Sequence, residues 1–320
     1  ARTYKELSNK EHIKTKIDVV EAVSKAYYNA LITEERLALV EVNFSRLDTL
    51  LRDAEAMYAN GFVEKIDVSR LKVQFNNLTV ERNKLKQYAK VSNDLLKFQM
   101  GMALSESLEI QDSLEKMSFQ TVEETVSDFN YSNRIEYSQL QTNMSLTQLD
   151  MKNNKVQYIP TLYANFNYGY NTATAESGKL FNSDRWLNYG ALGVSLDIPV
   201  FDGFLKRSRI QKNKIQVQQI QQSMEMAGNS IDLEIRQSKA NLNSAIENME
   251  AQNENMELAE EVFKVTRIKY EEGVGSNTEV LDADTALKQS QTNYYNALFD
   301  ALIAKIDLQK AYGTLLKKDN

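Results

Sequence analysis

The sequence between positions 270 and 282 reads Tyr270-Glu271-Glu272-Gly273-Val274-Gly275-Ser276-Asn277-Thr278-Glu279-Val280-Leu281-Asp282, and it interrupts a long helical pattern. Its two glycines provide positions where a left-handed backbone costs little, and the Ser-Asn pair provides an N-cap for a following helix. The stretch therefore predicts a tight reversal between two antiparallel helices.

A second copy of this reversal lies earlier in the chain, at an offset of 270 − 58 = 212 positions. Apolar residues recur every seven positions before both turns and keep the same phase. Such a seam is typical of an antiparallel coiled coil, and its repetition predicts a duplicated long helical hairpin. The matching positions of the two turns are Tyr58 and Tyr270, Gly61 and Gly273, Asp67 and Glu279, and Val68 and Val280.

Composition narrows the class of protein. The 320 residues are 42% hydrophobic and include two prolines and eleven glycines, which indicates a structured, mostly helical chain. The formal net charge is −6 and basic residues are interspersed with acidic ones, so nucleic acid is not an expected partner. The absence of cysteine excludes disulfides and thiolate metal sites. The sequence contains no run of about 18 apolar residues, so it predicts no transmembrane helix. The strands of a β-barrel are shorter and alternate, so a barrel stays possible.

Four segments are predicted along the chain. Residues 1–16 are expected to fray at the start of the first helix, and Gly228 is expected to kink or split a long helix of the second hairpin. The first segment is a helical hairpin at 1–102 with its turn near 58–66, and the second, at 103–158, is a connecting segment followed by a helix from about Thr125 to Tyr158. The third segment is a β-hairpin at 159–202. The fourth is a second helical hairpin at 203–320 with its turn near 271–278.

The β-hairpin is predicted from a change of period from seven to two. Leu162, Phe166 and Tyr168 share one parity, and Asn, Gly and Ser fill the other. Pro160 and Pro199 bracket the pair, where no ladder hydrogen bond is lost. Strands of about ten residues with one apolar face fit the wall of a transmembrane barrel, but a half-buried soluble hairpin would show the same alternation.

The duplication also predicts sequence that precedes position 1. A strand pair comes before the second helical hairpin, so a strand pair is expected before the first hairpin as well, upstream of Ala1. The chain is therefore expected to be a fragment, or a mature protein without its first helix and first two strands.

Several motifs together resemble the TolC-like outer-membrane efflux proteins, in the order that this family uses. They cover nearly the whole chain, although each motif alone is weak. The motifs are Asn133-Arg134-x-Glu136-Tyr137, Pro160-Thr161-Leu162, Asp197-Ile198-Pro199-Val200-Phe201-Asp202-Gly203, Tyr270-x-x-Gly273, Glu279-Val280-Leu281-Asp282-Ala283, Tyr294-Tyr295-Asn296-Ala297 and Ala311-Tyr312-Gly313-Thr314-Leu315.

The resemblance implies a homotrimer in the outer membrane of a Gram-negative bacterium, with long helices that form a periplasmic tunnel. It implies a passive exit duct of a tripartite efflux pump or type I secretion system, recruited by a periplasmic adaptor (membrane fusion) protein and an inner-membrane transporter. No enzyme activity and no cofactor are expected.

The resemblance also assigns candidate site residues. Asp67, Tyr270, Glu279 and Asp282 match the entrance gate, the tips Gly61, Phe62, Val63, Gly273, Val274 and Gly275 match the surface that adaptors grip, and Pro160, Pro199 and Gly203 mark strand boundaries. Two positions depart from the family pattern. Gly275 replaces an arginine that closes the entrance in some members, and Ile135 replaces a common proline.

Less specific interpretations stand beside these. Asp67, Glu279 and Asp282 fall in the first turns of returning helices, where an acidic side chain stabilises the helix dipole by about 0.3–1 kcal/mol. Asp67 is accordingly expected to cap its helix. The alternative function is a soluble coiled-coil scaffold or adaptor protein that carries a small strand insertion.

Overall fold

A computed structural model describes residues 1–112, 129–172 and 186–316. These residues form two compact units, one from Ala1–Leu7 and Leu140–Glu225 and the other from Ser8–Gln139 and Met226–Asn320. In chain order the elements are α1 (Arg2–Ala59), α2 (Lys65–Met100), α3 (Ile135–Val156), β1 (Thr161–Asn171), β2 (Leu187–Asp197), α4 (Leu205–Glu271) and α5 (Asn277–Tyr312).

The first helical hairpin packs along the predicted seam. Leu47 and Leu51 of α1 interlock with Leu71 and Leu78 of α2 in one buried cluster. Arg82 interrupts the heptad series of α2. Its guanidinium lies 3.8 Å from the centre of the Phe44 ring and 3.6 Å from the carboxylate of Glu41, so the charge is held at the seam by two partners.

The second helical hairpin repeats this arrangement with different side chains. Phe263 and Tyr270 of α4 pack against Val280 and Leu287 of α5, all of which are buried. Farther from the turn, Leu242 packs against Leu308. The predicted mainly helical fold with two long antiparallel hairpins is confirmed.

The two hairpins of the larger unit contact each other through α1 and α5. Ile32 packs against Leu298, and Asn43 donates a hydrogen bond to Gln291 over 3.0 Å within the buried interface. Because α2 pairs with α1 and α4 pairs with α5, α1 and α5 lie between α2 and α4, and α2 also reaches α5 near the turns. The helices α2 and α4 therefore lie at the two edges.

Two expected helix starts differ from the structure. Residues 1–16 are helical from Arg2 onward. The helix expected from Thr125 begins at Ile135 instead, after a 3-10 turn at Tyr131–Asn133, and residues 125–128 lie outside the described residues. An extended backbone at Arg134 (φ −82, ψ 122) separates the turn from the helix.

Gly228 does not divide α4 into two helices, because α4 is continuous from Leu205 to Glu271. A Cβ atom at position 228 would lie 3.7 Å from the ring of Tyr131, whose hydroxyl donates to the Asp232 carboxylate at 2.9 and 3.0 Å. A Cβ atom at that distance would make an ordinary van der Waals contact, so the Tyr131 ring packs beside Gly228 without requiring a glycine there.

The predicted β-hairpin is present, and its two strands are antiparallel. Thr161 pairs with Asp197 and Phe166 pairs with Leu192, which brings the apolar residues of both strands to one face. Pro160 directly precedes β1 and Pro199 follows β2 by two residues, so neither proline interrupts the ladder. Among the described helices, none has a stretch both long and apolar enough to pass through a membrane.

Candidate gate at the helical hairpin turns

The two helical turns are closed by the same main-chain hydrogen bonds. In the first turn the amide of Phe62 donates to the carbonyl of Met57 at 2.9 Å and the amide of Gly61 donates to Tyr58 at 3.0 Å. In the second turn Val274 donates to Lys269 at 2.9 Å and Gly273 to Tyr270 at 3.0 Å. Both are Schellman motifs with a left-handed glycine, at φ 78 for Gly61 and φ 76 for Gly273.

The candidate tip residues project from these turns. The side chain of Phe62 is 81% exposed and that of Val274 is 78% exposed, whereas Val63 is half-buried. The expectation that Gly275 also takes a positive φ is wrong. A Cβ atom there would approach the backbone nitrogen of Tyr270 to 3.0 Å, so Gly275 is needed for space and not for its backbone angles.

The returning helices begin differently. Ser276 is the N-cap of α5 and forms a capping box, in which its hydroxyl accepts from the Glu279 amide and the Glu279 carboxylate accepts from the Ser276 amide. Glu64 occupies the same position before α2 without a side-chain cap. The expectation that Asp67 caps α2 is therefore wrong, because Asp67 lies in the first turn of that helix.

A polar link joins the two turns across the hairpins. The side-chain amide of Asn277 donates to the Asp67 carbonyl at 3.1 Å and to the Asp67 carboxylate at 3.4 Å. Arg70 donates to the hydroxyl of Thr278 at 2.9 Å and lies 4.0 Å from the Asp67 carboxylate. Both turns thus lie at the same end of the larger unit, and four side chains connect them.

The other candidate gate residues are placed less directly. Tyr270 is buried, and its hydroxyl lies 3.9 Å from the sulfur of Met57. Burial raises the pKa of Tyr270, and the negative charges of Asp67 and Asp53 raise this pKa further. Asp282 is exposed on α5. The raised pKa keeps the Tyr270 hydroxyl neutral at pH 7. Asp67 lies close enough to Tyr270 to influence that pKa, but no hydrogen bond joins the two side chains.

Sequence reasoning missed a charged group between α1 and α5. Asp284 is only 4% exposed and accepts from Arg46 at 2.8 Å and from Lys288 at 2.5 Å. The Arg46 guanidinium also lies 4.4 Å from the centre of the Phe263 ring. The available signal was an aspartate between the seam residues Val280 and Leu287. Arg70, Asn277 and Thr278 were also missed as parts of the cross-hairpin link.

No group of histidine and acidic side chains among the described residues is arranged to hold a metal ion. The site consists instead of two exposed tips, a polar link between them, and a partly buried set of charges behind the link.

This duplicated arrangement of helical hairpins with linked turns can be compared with known proteins. Residues 132–314, more than half of the chain, match the family described as "Outer membrane efflux protein". The chain belongs to that family, which places it in the outer membrane as part of an efflux channel.

Particular relatives agree with this assignment. The outer membrane protein TolC of Vibrio cholerae is 20% identical over 317 residues, which are 98% of this chain and 71% of that protein. The open state of the outer membrane channel MtrE of Neisseria gonorrhoeae has the same fold, with a TM-score of 0.77 at 16% identity over 98% of this chain and 70% of that chain. The outer membrane protein VceC of Vibrio cholerae gives a TM-score of 0.71 at 15% identity, over 96% of this chain and 72% of that chain. Family membership favours the channel over the soluble coiled-coil scaffold.

Proposed function

We propose that three copies of this chain assemble side by side into the passive exit duct of a tripartite efflux pump or a type I secretion system. Solutes would pass through the duct without chemical change. The observation that carries this proposal is a second apolar stripe on each edge helix, on the side that faces away from the rest of the chain.

The stripe on α2 follows from helical geometry. Val73 and Val80 come two residues after the seam residues Leu71 and Leu78, and two residues rotate a side chain by about 200° around a helix. Val73 is 58% and Val80 is 68% exposed, although Leu71 and Leu78 are buried. Phe98 likewise is exposed and comes two residues after the buried seam residue Leu96.

The stripe on α4 has the same relation to its own seam. Leu233 follows Ile231 and Val265 follows Phe263, and in both pairs the first residue is buried and the second is exposed. Leu258 lies on the same side and is 53% exposed. Because α2 and α4 lie at opposite edges, joining one to the other generates a head-to-tail interface, which closes into a ring when the rotation fits.

Engineered cysteines test this assembly without interference, because the chain contains none. Counted from the turns, Val80 and Leu258 stand at similar heights, so we expect the pair Val80→Cys and Leu258→Cys to give disulfide-linked trimers on oxidation. Each single variant should give no trimer ladder. The pair Val80→Cys and Leu233→Cys is the control, since 25 residues separate Leu258 from Leu233, a rise of about 37 Å. Exclusive intramolecular linkage would contradict the ring.

The cross-hairpin link supports a gate that is closed by contacts within one protomer. Arg70 supplies the positive group that the glycine at 275 cannot supply, from the opposite hairpin. Removing both donors with Arg70→Ala and Asn277→Ala should raise the conductance of the reconstituted channel. Conductance equal to that of the unaltered protein would argue against this gate.

Glu279 and Asp282 are proposed to bring carboxylates to the entrance. Replacing them by Glu279→Gln and Asp282→Asn should weaken cation preference, and Gln at position 279 keeps the capping box. Unchanged selectivity would remove this assignment. We further propose that the tips at Gly61–Val63 and Gly273–Gly275 bind a periplasmic adaptor, which connects the duct to an inner-membrane transporter.

A further inference from the structure

The smaller unit carries a basic cluster beside the end of the β-hairpin. Five basic residues fall within nine positions at the start of α4, and no acidic residue occurs from position 203 to position 224. This density contrasts with the net charge of −6 for the whole chain and departs from the expectation that basic residues are interspersed with acidic ones. The five residues are Lys206, Arg207, Arg209, Lys212 and Lys214.

One of these residues has local partners, and four face solvent. Lys206 is half-buried, and its ammonium lies 3.6 Å from the Asp202 carboxylate and 5.4 Å from the centre of the Tyr158 ring. The side chains of the other four residues are exposed. Because they spread over the first two or three turns of α4, they present positive charge on several sides of the helix.

Apolar side chains lie next to this cluster. Val200 is 91%, Phe201 is 76% and Phe204 is 61% exposed, and the two aromatic rings contact each other edge to face with centres 5.6 Å apart. Phe204 and Ile215 also line an open groove along α4 together with Arg207 and Lys212. The surface therefore combines apolar contact area with positive charge, as surfaces that bind the membrane interface do.

The backbone holds this aromatic residue in an unfavourable conformation. Phe204 has φ 65, and among the described residues it alone has a positive φ without being glycine. Bulky residues rarely take this conformation, and strained positions of this kind concentrate at functional sites. The strained residue presents an exposed ring where the chain passes from β2 to α4. A glycine or asparagine would form the same turn at a lower conformational cost, so the turn alone does not account for a phenylalanine at this position.

We infer that this basic and aromatic surface binds the headgroups of anionic phospholipids in the membrane leaflet next to the helices. The inference rests on the proposed function, because an exit duct in the outer membrane would have this β-hairpin in the bilayer and the helical end of the hairpin at the membrane interface. Thr161 and Asp197 pair at this end of the sheet, and α4 begins eight residues beyond Asp197. Lysine and arginine next to an apolar anchor attract anionic lipid, and their effect decays within about 10 Å of the charged surface.

The test titrates the full chain in detergent with phosphatidylglycerol or phosphatidylcholine and counts bound lipids by native mass spectrometry. We expect the unaltered protein to prefer phosphatidylglycerol. Replacing the four exposed residues (Arg207→Gln, Arg209→Gln, Lys212→Gln, Lys214→Gln) should reduce that preference by about fivefold for each charge. An excess of soluble glycerophosphate should not compete, since it lacks the acyl chains.

A matched control removes four exposed lysines elsewhere, with Lys16→Gln, Lys72→Gln, Lys90→Gln and Lys264→Gln. It changes the net charge equally and should keep the preference. Phe204→Asn tolerates the left-handed backbone, so it should lower the affinity for both lipids and leave the headgroup preference unchanged. Equal loss in the control, or a retained preference in the fourfold variant, would overturn the inference.

Failure of the proposed function gives a different result. Trp186 is the only tryptophan and lies next to β2, so quenching of its fluorescence by brominated phosphatidylcholine reports insertion of the hairpin. Absence of quenching in the unaltered protein would contradict membrane insertion itself. Quenching that persists while the headgroup preference is absent would contradict only the lipid site.

Discussion

The two helical turns have the same backbone and different side chains. Both close with paired hydrogen bonds of 2.9 and 3.0 Å and a glycine near φ 77, yet the next helix begins with an uncapped glutamate in one copy and a full capping box in the other. The main chain therefore defines the turn, and the side chains around it are free to specialise. In the second copy they add a cap and a buried charge. The first copy contributes Arg70 to the link.

The largest expected difference concerns the buried charge. Asp284 corresponds to Lys72, since 284 − 212 = 72, and Lys72 is exposed. Asp284→Ala should lower the free energy of unfolding by about 1.5–3 kcal/mol, because it removes the buried acceptor of the charged hydrogen bonds from the partly buried Arg46 and Lys288. Lys72→Ala should change it by less than about 0.5 kcal/mol. Urea unfolding followed by circular dichroism measures both, and equal effects would contradict the asymmetry.

The glycines should behave alike in the two copies. An alanine in the left-handed conformation costs about 1–2 kcal/mol, and neither Gly61 nor Gly273 has an atom within 4 Å of the position its Cβ would take. Gly61→Ala and Gly273→Ala should therefore lower stability by similar amounts in the same unfolding experiment. A difference of more than about 1 kcal/mol would show that the turns do not share one backbone.

The caps should respond in opposite directions. Ser276→Ala should cost about 1 kcal/mol, since it leaves the amide of Glu279 without its acceptor. Glu64 already has the extended backbone of an N-cap (φ −82, ψ 154), so Glu64→Ser should stabilise α2 by up to about 1 kcal/mol. Amide hydrogen exchange in the first turn of each helix measures these effects, and faster exchange in Glu64→Ser would be the contrary result.

The smallest effect is a dependence on alkaline pH. The folded state raises the pKa of Tyr270 above its ordinary value of 10.0, chiefly through burial. The unfolded chain therefore loses this proton first, so the contribution of the neutral hydroxyl is complete below pH 10 and is lost as the pH rises toward the folded-state pKa. Tyr270→Phe should make the free energy of unfolding less dependent on pH above pH 10. Tyr58→Phe removes a hydroxyl at the matching position of the other turn and is the control. An equal change of the free energy of unfolding with pH in Tyr270→Phe and in the unaltered protein would refute this prediction.

Much of the fold could be predicted because periodic patterns report burial directly. The heptads before both turns predicted an apolar seam along each helical hairpin, and the change to a period of two placed Phe166 on the apolar face of the sheet. Gly61 and Gly273 were identified because a helix that reverses needs a residue with little cost at positive φ. These signals depend on local geometry that every copy of the element must obey.

The parts that failed depend on contacts distant in sequence. Gly228 was expected to kink or split its helix, and nothing in the local sequence shows that α4 continues through this position. Gly275 was expected at positive φ, whereas its role is the narrow space beside Tyr270. The Asn277–Asp67 and Arg70–Thr278 bonds join positions more than 200 residues apart, so only the tertiary structure brings them together.

The main-chain closure of the turns has a consequence for the assembled channel. Main-chain hydrogen bonds close each reversal, and a glycine at positive φ is the residue that both copies share, so the side chains around the two turns can differ while the closing hydrogen bonds stay the same. In the proposed trimer, six such reversals would form a crown that alternates between an aromatic and a small aliphatic point, carried by Phe62 and Val274. A ligand with threefold periodicity could then distinguish neighbouring points of a crown whose backbone is nearly sixfold.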